Sequence, residues 1–430
     1  MMAQQTTAAA ADRVFLAGAG GSRVLLTSTT RWPSSARLMI EFARLGHAVS
    51  IVCPAYRHPS RKVRVAHSTF PYKPLAPLDS VADAIGAVKP DIIIPCDDLA
   101  VRHLHQLHGR ARSGCRVDLS TLIAYSLGAP ESYDTVASRS SLLEIAREEG
   151  ILTPQTQVIE SRGDLQWWGF THGFPCVLKA DGTTGGAGVR IAHTLEEARI
   201  GYSDLRKPMG LMRSVKHLVV DRDLVLEREW HNLWQAVPRP VVVQAYVRGA
   251  AANCAVVCWK GEMLAGMACE AVTTETPVGP ATVVRLVDRP AMMTAAQKLA
   301  RRLSLSGFFG LDFVIEEGTD AAYLIEMNPR CTPPSHLRLG AGRDLVGAFS
   351  AQLVGKQLNE PVSITQNNLI AYFPQAWLRN SEFLASCYHD VPETEPELVE
   401  ELCQSEPGVK AAQTESLRSL FSLGGFARRL

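Results

Sequence analysis

Asp312, Glu326 and Asn328 are oxygen donors inside one stretch, GFFGLDFVIEEGTDAAYLIEMNPR, residues 307–330. Leu311 to Ile315 and Ala322 to Asn328 read as two strands, alternating apolar and polar around a turn from Glu316 to Asp320 that contains Gly318. Glu326 and Asn328 are two apart, so on a strand they share a face. A hairpin then sets Asp312 against the acid and the amide of its partner. Such a set suits Mg²⁺ (or Mn²⁺), which takes one or two carboxylates and leaves its remaining positions to water and substrate phosphates. Arg330 places a cation just beyond the oxygens.

A second group answers the first. In FPCVLKADGTTGGAGVRI, residues 174–191, the apolar run Cys176-Val177-Leu178 leads to Lys179, followed by Gly182, Gly185, Gly186 and Gly188. Glycines let backbone N–H groups turn toward a phosphate without a Cβ clash, and a lysine adds a point charge. The loop is not GxxxxGK[ST], which excludes a Walker A assignment. His172 and His336 are candidates for substrate contact, although a structural histidine is the simpler reading of each.

The elements that must position these groups are legible in outline. VFLAGAGGS, residues 14–22, has glycines at 18, 20 and 21, but Arg23 replaces the third glycine of GxGxxG and a strand follows where a helix should open. No dinucleotide fingerprint is assigned. Strands and helices alternate over 23–106: RVLLTST, SSARLMIEFARLG, AVSIVCP, SVADAIGAVK, DIIIP and DDLAVRHLHQLH. That alternation implies a parallel sheet covered by helices. Gly46 marks the end of the first helix. Asp97 and Asp98 follow DIIIP at the carboxyl edge where ligands collect in such sheets, with helix capping as the simpler role. A helix carrying Leu142, Leu143, Ile145 and Ala146 ends at Gly150. Val241 to Val247 reads as a strand, and a hairpin turns at Lys260-Gly261. Another helix covers Met292 to Leu303, and one begins near Asp344. NLIAYFP is a strand, followed by an acidic stretch and a Ser/Gly/Arg-rich tail.

Charged residues nearly cancel, Lys+Arg 44 against Asp+Glu 43, so nothing favours nucleic acid or an anionic membrane surface as partner. No apolar run approaches the roughly 20 residues that span a bilayer. The 10 cysteines form no CxxC pair and no zinc spacing, which fits reduced thiols in the cytoplasm.

Taken together, Lys179 with its glycine loop, the strand QAYV and the Asp312/Glu326/Asn328 set resemble the ATP-grasp superfamily over about residues 128–358. The resemblance implies an α/β and α+β chain: an N-terminal parallel-sheet domain of the pre-ATP-grasp type, then a two-subdomain ATP-grasp fold whose glycine loop closes as a lid. The expected organisation is a tail with a possible strand (1–22), an α/β domain (23–127), the ATP-grasp domain (128–358) and a C-terminal extension (359–430) with a partly disordered tail. Members generally make an acyl phosphate from ATP and a carboxylate, which an amine or another nucleophile attacks; biotin carboxylase and carbamoyl phosphate synthetase phosphorylate bicarbonate instead. By resemblance, Lys179, Arg139 and Gly182, Gly185, Gly186 and Gly188 meet the ATP phosphates. Tyr246 and Val247 meet the adenine through backbone groups, and Gln244 stands nearby. Asp312, Glu326 and Asn328 hold Mg²⁺ or Mn²⁺, and Arg330 steadies a phosphate. Arg139 stands where the family often has lysine; Gln244 and Ala250-Ala251-Ala252 stand where it often has acids. The implied partners are a small-molecule carboxylate and an amine, with a homodimer as a possible assembly. Two further readings are a carboxylase or carbamoyl-phosphate-type subunit and a nucleotide-binding regulatory protein.

Overall fold

The structure is a computed structural model that describes residues 21–114, 117–180, 188–206, 240–276, 279–355, 362–378 and 383–404. Gly182, Gly185, Gly186, most of the N-terminal tail and the end of the chain lie outside those residues.

Four short strands open the chain: β1 (Arg23–Thr27), β2 (Ala48–Cys53), β3 (Ser68–Pro71) and β4 (Ile92–Pro95). They form one parallel sheet in the order β3-β2-β1-β4. Val24, Leu25 and Leu26 are all fully buried, as a strand covered on both faces requires. Leu25, Val52 and Ile93 pack under α2 (Pro77–Val88), α3 (Asp98–Ser113) and α4 (Val117–Leu127). Val24, Leu26 and Ile51 pack under α1 (Pro33–Arg44). Gly46 has φ +87°, the left-handed turn expected after α1. The sequence reading passed over β3 and α4. β3 is only four residues long with every second residue exposed, so its pattern carries little signal.

After α5 (Tyr133–Ala137) and α6 (Arg139–Glu148) comes a second sheet, β5-β8-β6-β7, built from β5 (Thr156–Ile159), β6 (Cys176–Ala180), β7 (Val189–Ala192) and β8 (Val241–Ala245). All its pairings are antiparallel. α7 (Arg162–Thr171) and α8 (Leu195–Arg206) cover it with Trp168, Tyr202 and Leu205 over Leu178 and Val243, a core of its own. β8 stops at Ala245, two residues earlier than the apolar run suggests, so Tyr246 and Val247 lie in the link to the next strand.

The third sheet has seven strands: β9 (Gly249–Trp259), β10 (Glu262–Thr274), β11 (Ala281–Val287), β12 (Gly307–Glu316), β13 (Ala322–Asn328), β14 (Leu369–Tyr372) and β15 (Tyr388–Asp390), in the order β13-β12-β9-β10-β11-β14-β15. Lys260 (φ +49°) and Gly261 (φ +85°) close the β9–β10 hairpin with the two left-handed residues that a tight hairpin of this hand needs. On one face, Met292 and Leu299 of α9 (Pro290–Arg302) meet Phe309 and Leu311. On the other, Phe308 and Phe349 of α10 (Leu345–Val354) meet Phe42 of α1, with ring centroids 5.3–6.4 Å apart. Helix α1 is therefore packed between the first sheet and the third.

Residues beyond 359 contribute to this same unit. β14 pairs with β11, and β15 pairs with β14 in parallel. After the short α11 (Gln375–Leu378), Leu398 and Leu402 of α12 (Pro396–Gln404) enter the core that holds Phe42. Glu401 of α12 takes Arg31 and Arg57 from the first domain, and Glu395 takes Arg64. No helix among the described residues is long and apolar enough to cross a membrane.

Candidate functional site

The β12–β13 hairpin sets Asp312 directly opposite Glu326 and Gly310 opposite Asn328. The register then slips, because Phe313 pairs with Leu324, leaving Ile325 as an extra residue. Such a bulge bends the strand and re-aims a group. Here the Ile325 carbonyl accepts a hydrogen bond from Lys179 Nζ at 3.4 Å, across from the other sheet.

Asp312 is held by two amides. Asn328 Nδ2 donates to Oδ2 at 2.9 Å and Asn253 Nδ2 to Oδ1 at 2.6 Å. Asn253 lies opposite Asp312 on β9, so Asn253, Asp312 and Glu326 form one row across three strands. Sequence reading missed Asn253; its signal is a lone polar residue in the run AAANCAVVC. Burial raises the Asp312 carboxyl above the usual carboxylate range, and the charge of Glu326 adds to this; the two amides and Arg330 oppose the rise. Two carboxylates abut here at an energetic cost that a cation would relieve. Among the described residues no third His, Cys, Asp or Glu joins them. A two-carboxylate set with a neighbouring amide oxygen fits a Mg²⁺ that takes its other ligands from substrate phosphates and water.

Three cations surround the pair. Arg139 is the first residue of α6, whose N-cap Ser138 accepts from Ser141 N at 3.3 Å. Its Nη2 donates to Glu326 Oε1 at 2.6 Å. Lys179 sits inside β6 and is buried. Burial lowers its ammonium to about 8, helped by Arg139 and resisted by Glu326 and Asp312. Arg330 donates from Nε to Asp98 Oδ1 at 3.1 Å and from Nη2 to Asn328 Oδ1 at 3.1 Å, and its guanidinium lies 5.6 Å from the Trp32 ring centroid. The Asp98 contact ties the carboxyl edge of the first sheet to the hairpin. Neighbouring Asp97 has the capping role: it accepts from Ala100 N at 2.9 Å and also from Ser28 and Thr29.

The remaining candidates are placed as follows. Gly188 is buried, and its carbonyl accepts from Ala180 N at 2.9 Å. Gln244 is buried, with its amide donating to Thr156 Oγ1 at 3.1 Å, so its side chain is occupied on β5. Tyr246 is 41% exposed in the link between the second and third sheets. His172 is exposed and lies against Trp168 at the end of α7. His336 is buried with Nε2 2.8 Å from Asp390 Oδ2, and Arg37 pairs with the same carboxylate. Burial works to raise Asp390, but Arg37 and His336 outweigh it and hold the carboxyl at about 2. His336 is structural in this arrangement.

Comparison with known proteins bears on the family and the fold. The family model for the carbamoyl-phosphate synthase L chain, ATP binding domain, matches residues 139–359, just over half of the chain. The carbamoyl phosphate synthase large chain of Rubrobacter xylanophilus is 26% identical over 294 residues, 66% of this chain and 25% of the relative. The chain thus spans about a quarter of the length of such relatives. The biotin carboxylase domain of Hydrogenobacter thermophilus 2-oxoglutarate carboxylase, solved as a dimer with MgADP and bicarbonate, shares the fold: TM-score 0.56, 16% identity, 80% of this chain and 71% of that one covered. So does N5-carboxyaminoimidazole synthetase from Staphylococcus aureus: TM-score 0.55, 12% identity, 79% of each chain covered. With the paired carboxylates, the buried lysine and the arginine at residue 139 all inside the matched segment, the chain belongs to the carbamoyl-phosphate synthase large-chain ATP-binding-domain family of ATP-grasp proteins.

Proposed function

We propose that this chain is an ATP-dependent ligase that activates a carboxylate as an acyl phosphate for attack by an amine or a similar nucleophile. The observation that carries the reading is the convergence of Lys179 and Arg139 on the hairpin that pairs Asp312 with Glu326. Phosphoryl transfer needs little covalent help from a protein; it needs positioning and charge. A substrate carboxylate oxygen attacks the γ-phosphorus, the bond to the bridging oxygen breaks, and ADP leaves. The nucleophile's nitrogen then attacks the acyl carbon, phosphate leaves with its oxygen, and the nitrogen loses a proton.

In this reading Lys179 and Arg139 bind phosphoryl oxygens, with Gly182, Gly185, Gly186 and Gly188 supplying backbone N–H groups. The backbone of Tyr246 and Val247 meets the adenine. Arg330, oriented by Asp98 and Asn328, holds the transferred phosphoryl group. Asp312, Glu326 and Asn328 would hold Mg²⁺ or Mn²⁺, which when bound neutralises phosphate charge that the three cations leave uncompensated. Residues 23–127 and 128–358 serve as the organising units, the described residues of the extension 359–430 adding to the third sheet, and a cytoplasmic homodimer is the assembly we assign. The nine cysteines among the described residues are free, buried thiols, which supports the reducing compartment.

The test is ADP release measured against a panel of amino acids and small carboxylates, each with and without an amine. Release that requires both classes supports the ligase reading. A second reading follows from the carbamoyl-phosphate synthase match: the activated acid is bicarbonate. ADP formation driven by bicarbonate alone would select it. Tight ATP binding without turnover under any of these conditions would point to a regulatory protein.

A further inference from the structure

We propose that Arg139 is the resident countercation of Glu326, and that it exchanges this carboxylate for nucleotide phosphate when a divalent metal arrives, so that metal and nucleotide bind as a coupled pair. The inference rests on the reading of this hairpin as the metal–ATP site and adds a device to it.

The two carboxylates are satisfied differently. Asp312 receives neutral amides from Asn253 and Asn328, which leave its charge in place. Glu326 receives a full guanidinium charge at 2.6 Å. The arginine side chain is 8% exposed and the glutamate 30%, so water screens the pair only in part. A metal ion on Glu326 would set a second positive charge beside the guanidinium. Two cations on one carboxylate in a poorly screened site repel strongly, so metal entry requires Arg139 to leave or to retreat.

Arg139 stands in an unfavourable field. It is the first residue of α6, at the positive end of the helix dipole, and that first turn contains no acid. Lys179, buried nearby, adds further repulsion. The Glu326 carboxylate thus offsets the field of the helix at Arg139. A polyphosphate offers both cations a better-matched partner, and arginine is suited to it because its fork bonds two oxygens at once. Nucleotide that draws Arg139 away frees Glu326 for metal, and metal that displaces Arg139 readies it for nucleotide. Linkage makes the two effects equal. In the nucleotide-free protein the carboxylate pair is shielded from stray divalent ions by its own arginine.

The experiment measures Mn²⁺ affinity of the full chain without nucleotide, by calorimetry and by the paramagnetic resonance signal of free Mn²⁺. Arg139→Gln should bind Mn²⁺ about tenfold more tightly than wild type, a coupling of ordinary size, and adding Glu326→Gln should abolish the gain. Arg139→Lys, which keeps a charge but cannot match the fork, should fall between. Affinity for an ATP analogue with a β,γ-imido bridge, measured in EDTA, should weaken in Arg139→Gln. Unchanged or weaker Mn²⁺ binding in both folded Arg139 variants would overturn the exchange. If wild type with the analogue holds no more Mn²⁺ than the analogue alone, the metal-site reading itself falls, and the exchange falls with it. Mn²⁺ binding by that wild-type complex, with unaltered nucleotide-free affinity in the variants, removes the exchange only.

Discussion

Replacing Lys179 with methionine should make the nucleotide-free protein more stable while disabling it. The lysine is buried, and its ammonium is lowered from 10.5 to about 8. At about 1.36 kcal/mol per decade, that drop means that keeping Lys179 charged in the folded chain costs on the order of 3 kcal/mol. Methionine has a similar stem and no charge, so it removes the cost along with the contact to the Ile325 carbonyl, worth about 1 kcal/mol. The net expectation at pH 7 is a gain of roughly 2 kcal/mol for Lys179→Met. The sign with pH follows from proton binding. Below pH 8 the lysine is charged in both folded and unfolded chains and the full cost applies. Between about 8 and 10.5 the unfolded chain binds more protons than the folded one, so wild-type stability rises with pH. Above 10.5 the cost is gone. The wild-type deficit relative to the variant should therefore shrink from pH 8 to pH 10, and other titrating groups cancel in that difference. Urea unfolding of both proteins at several pH values measures it, beside ATP affinity by calorimetry, which should fall sharply in the variant. A Lys179→Met protein that is less stable than wild type at pH 7, or a difference that does not change with pH, would refute the reasoning.

Glu326→Ala should reduce ADP release by orders of magnitude with the far-ultraviolet dichroism unchanged, because it removes one of two carboxylates together with its contact to Arg139; near-normal turnover would take Glu326 out of the site. Asn253→Leu deprives Asp312 of its shorter amide contact, so the protein should lose about 1–3 kcal/mol in urea unfolding, and ADP release should lose activity on its acidic side first as the Asp312 carboxyl rises further. Gly310→Ala would place a Cβ 2.3 Å from Thr332 Cγ2, just past Arg330. We expect about 1–3 kcal/mol of destabilisation and a fall in kcat as the loop shifts; a variant that melts like wild type would show that Thr332 yields freely.

The hairpin was legible because its period-2 pattern is broken by polar residues only at 312, 326 and 328, two of them acids set in otherwise apolar strands. Lys260-Gly261 was legible from turn chemistry alone. What escaped is what depends on pairing between distant strands. Asn253 is one amide among alanines until β9 is laid beside β12. The Ile325 bulge is a register event with no residue type to announce it. The contact of Arg139 with Glu326 spans 187 positions, so the resemblance could give Arg139 a nucleotide but not a carboxylate. Gln244 was named for its place beside Tyr246 and Val247, and its hydrogen bond to Thr156 on the adjacent strand is again a pairing that no local pattern announces. The acidic stretch near the end read as an appendage because its partners, Arg31, Arg57 and Arg64, stand at the other end of the sequence.

That last arrangement sets a timetable for synthesis. A chain leaving the ribosome can pair β1, β2, β3 and β4 early, since they are close in sequence. The core that holds Phe42 is different: it also needs Phe308, Phe349, Leu398 and Leu402. Arg31 waits through 370 residues for Glu401. Until then the side of α1 that will meet the third sheet remains an exposed apolar face on a nascent protein, the kind of surface on which chaperones act and aggregation starts. Contacts this distant slow the final closure. A premature stop anywhere before α12 would thus leave its mark on the first domain made, and pulse proteolysis of arrested nascent chains should find α1 protected only after residue 404 has cleared the exit tunnel.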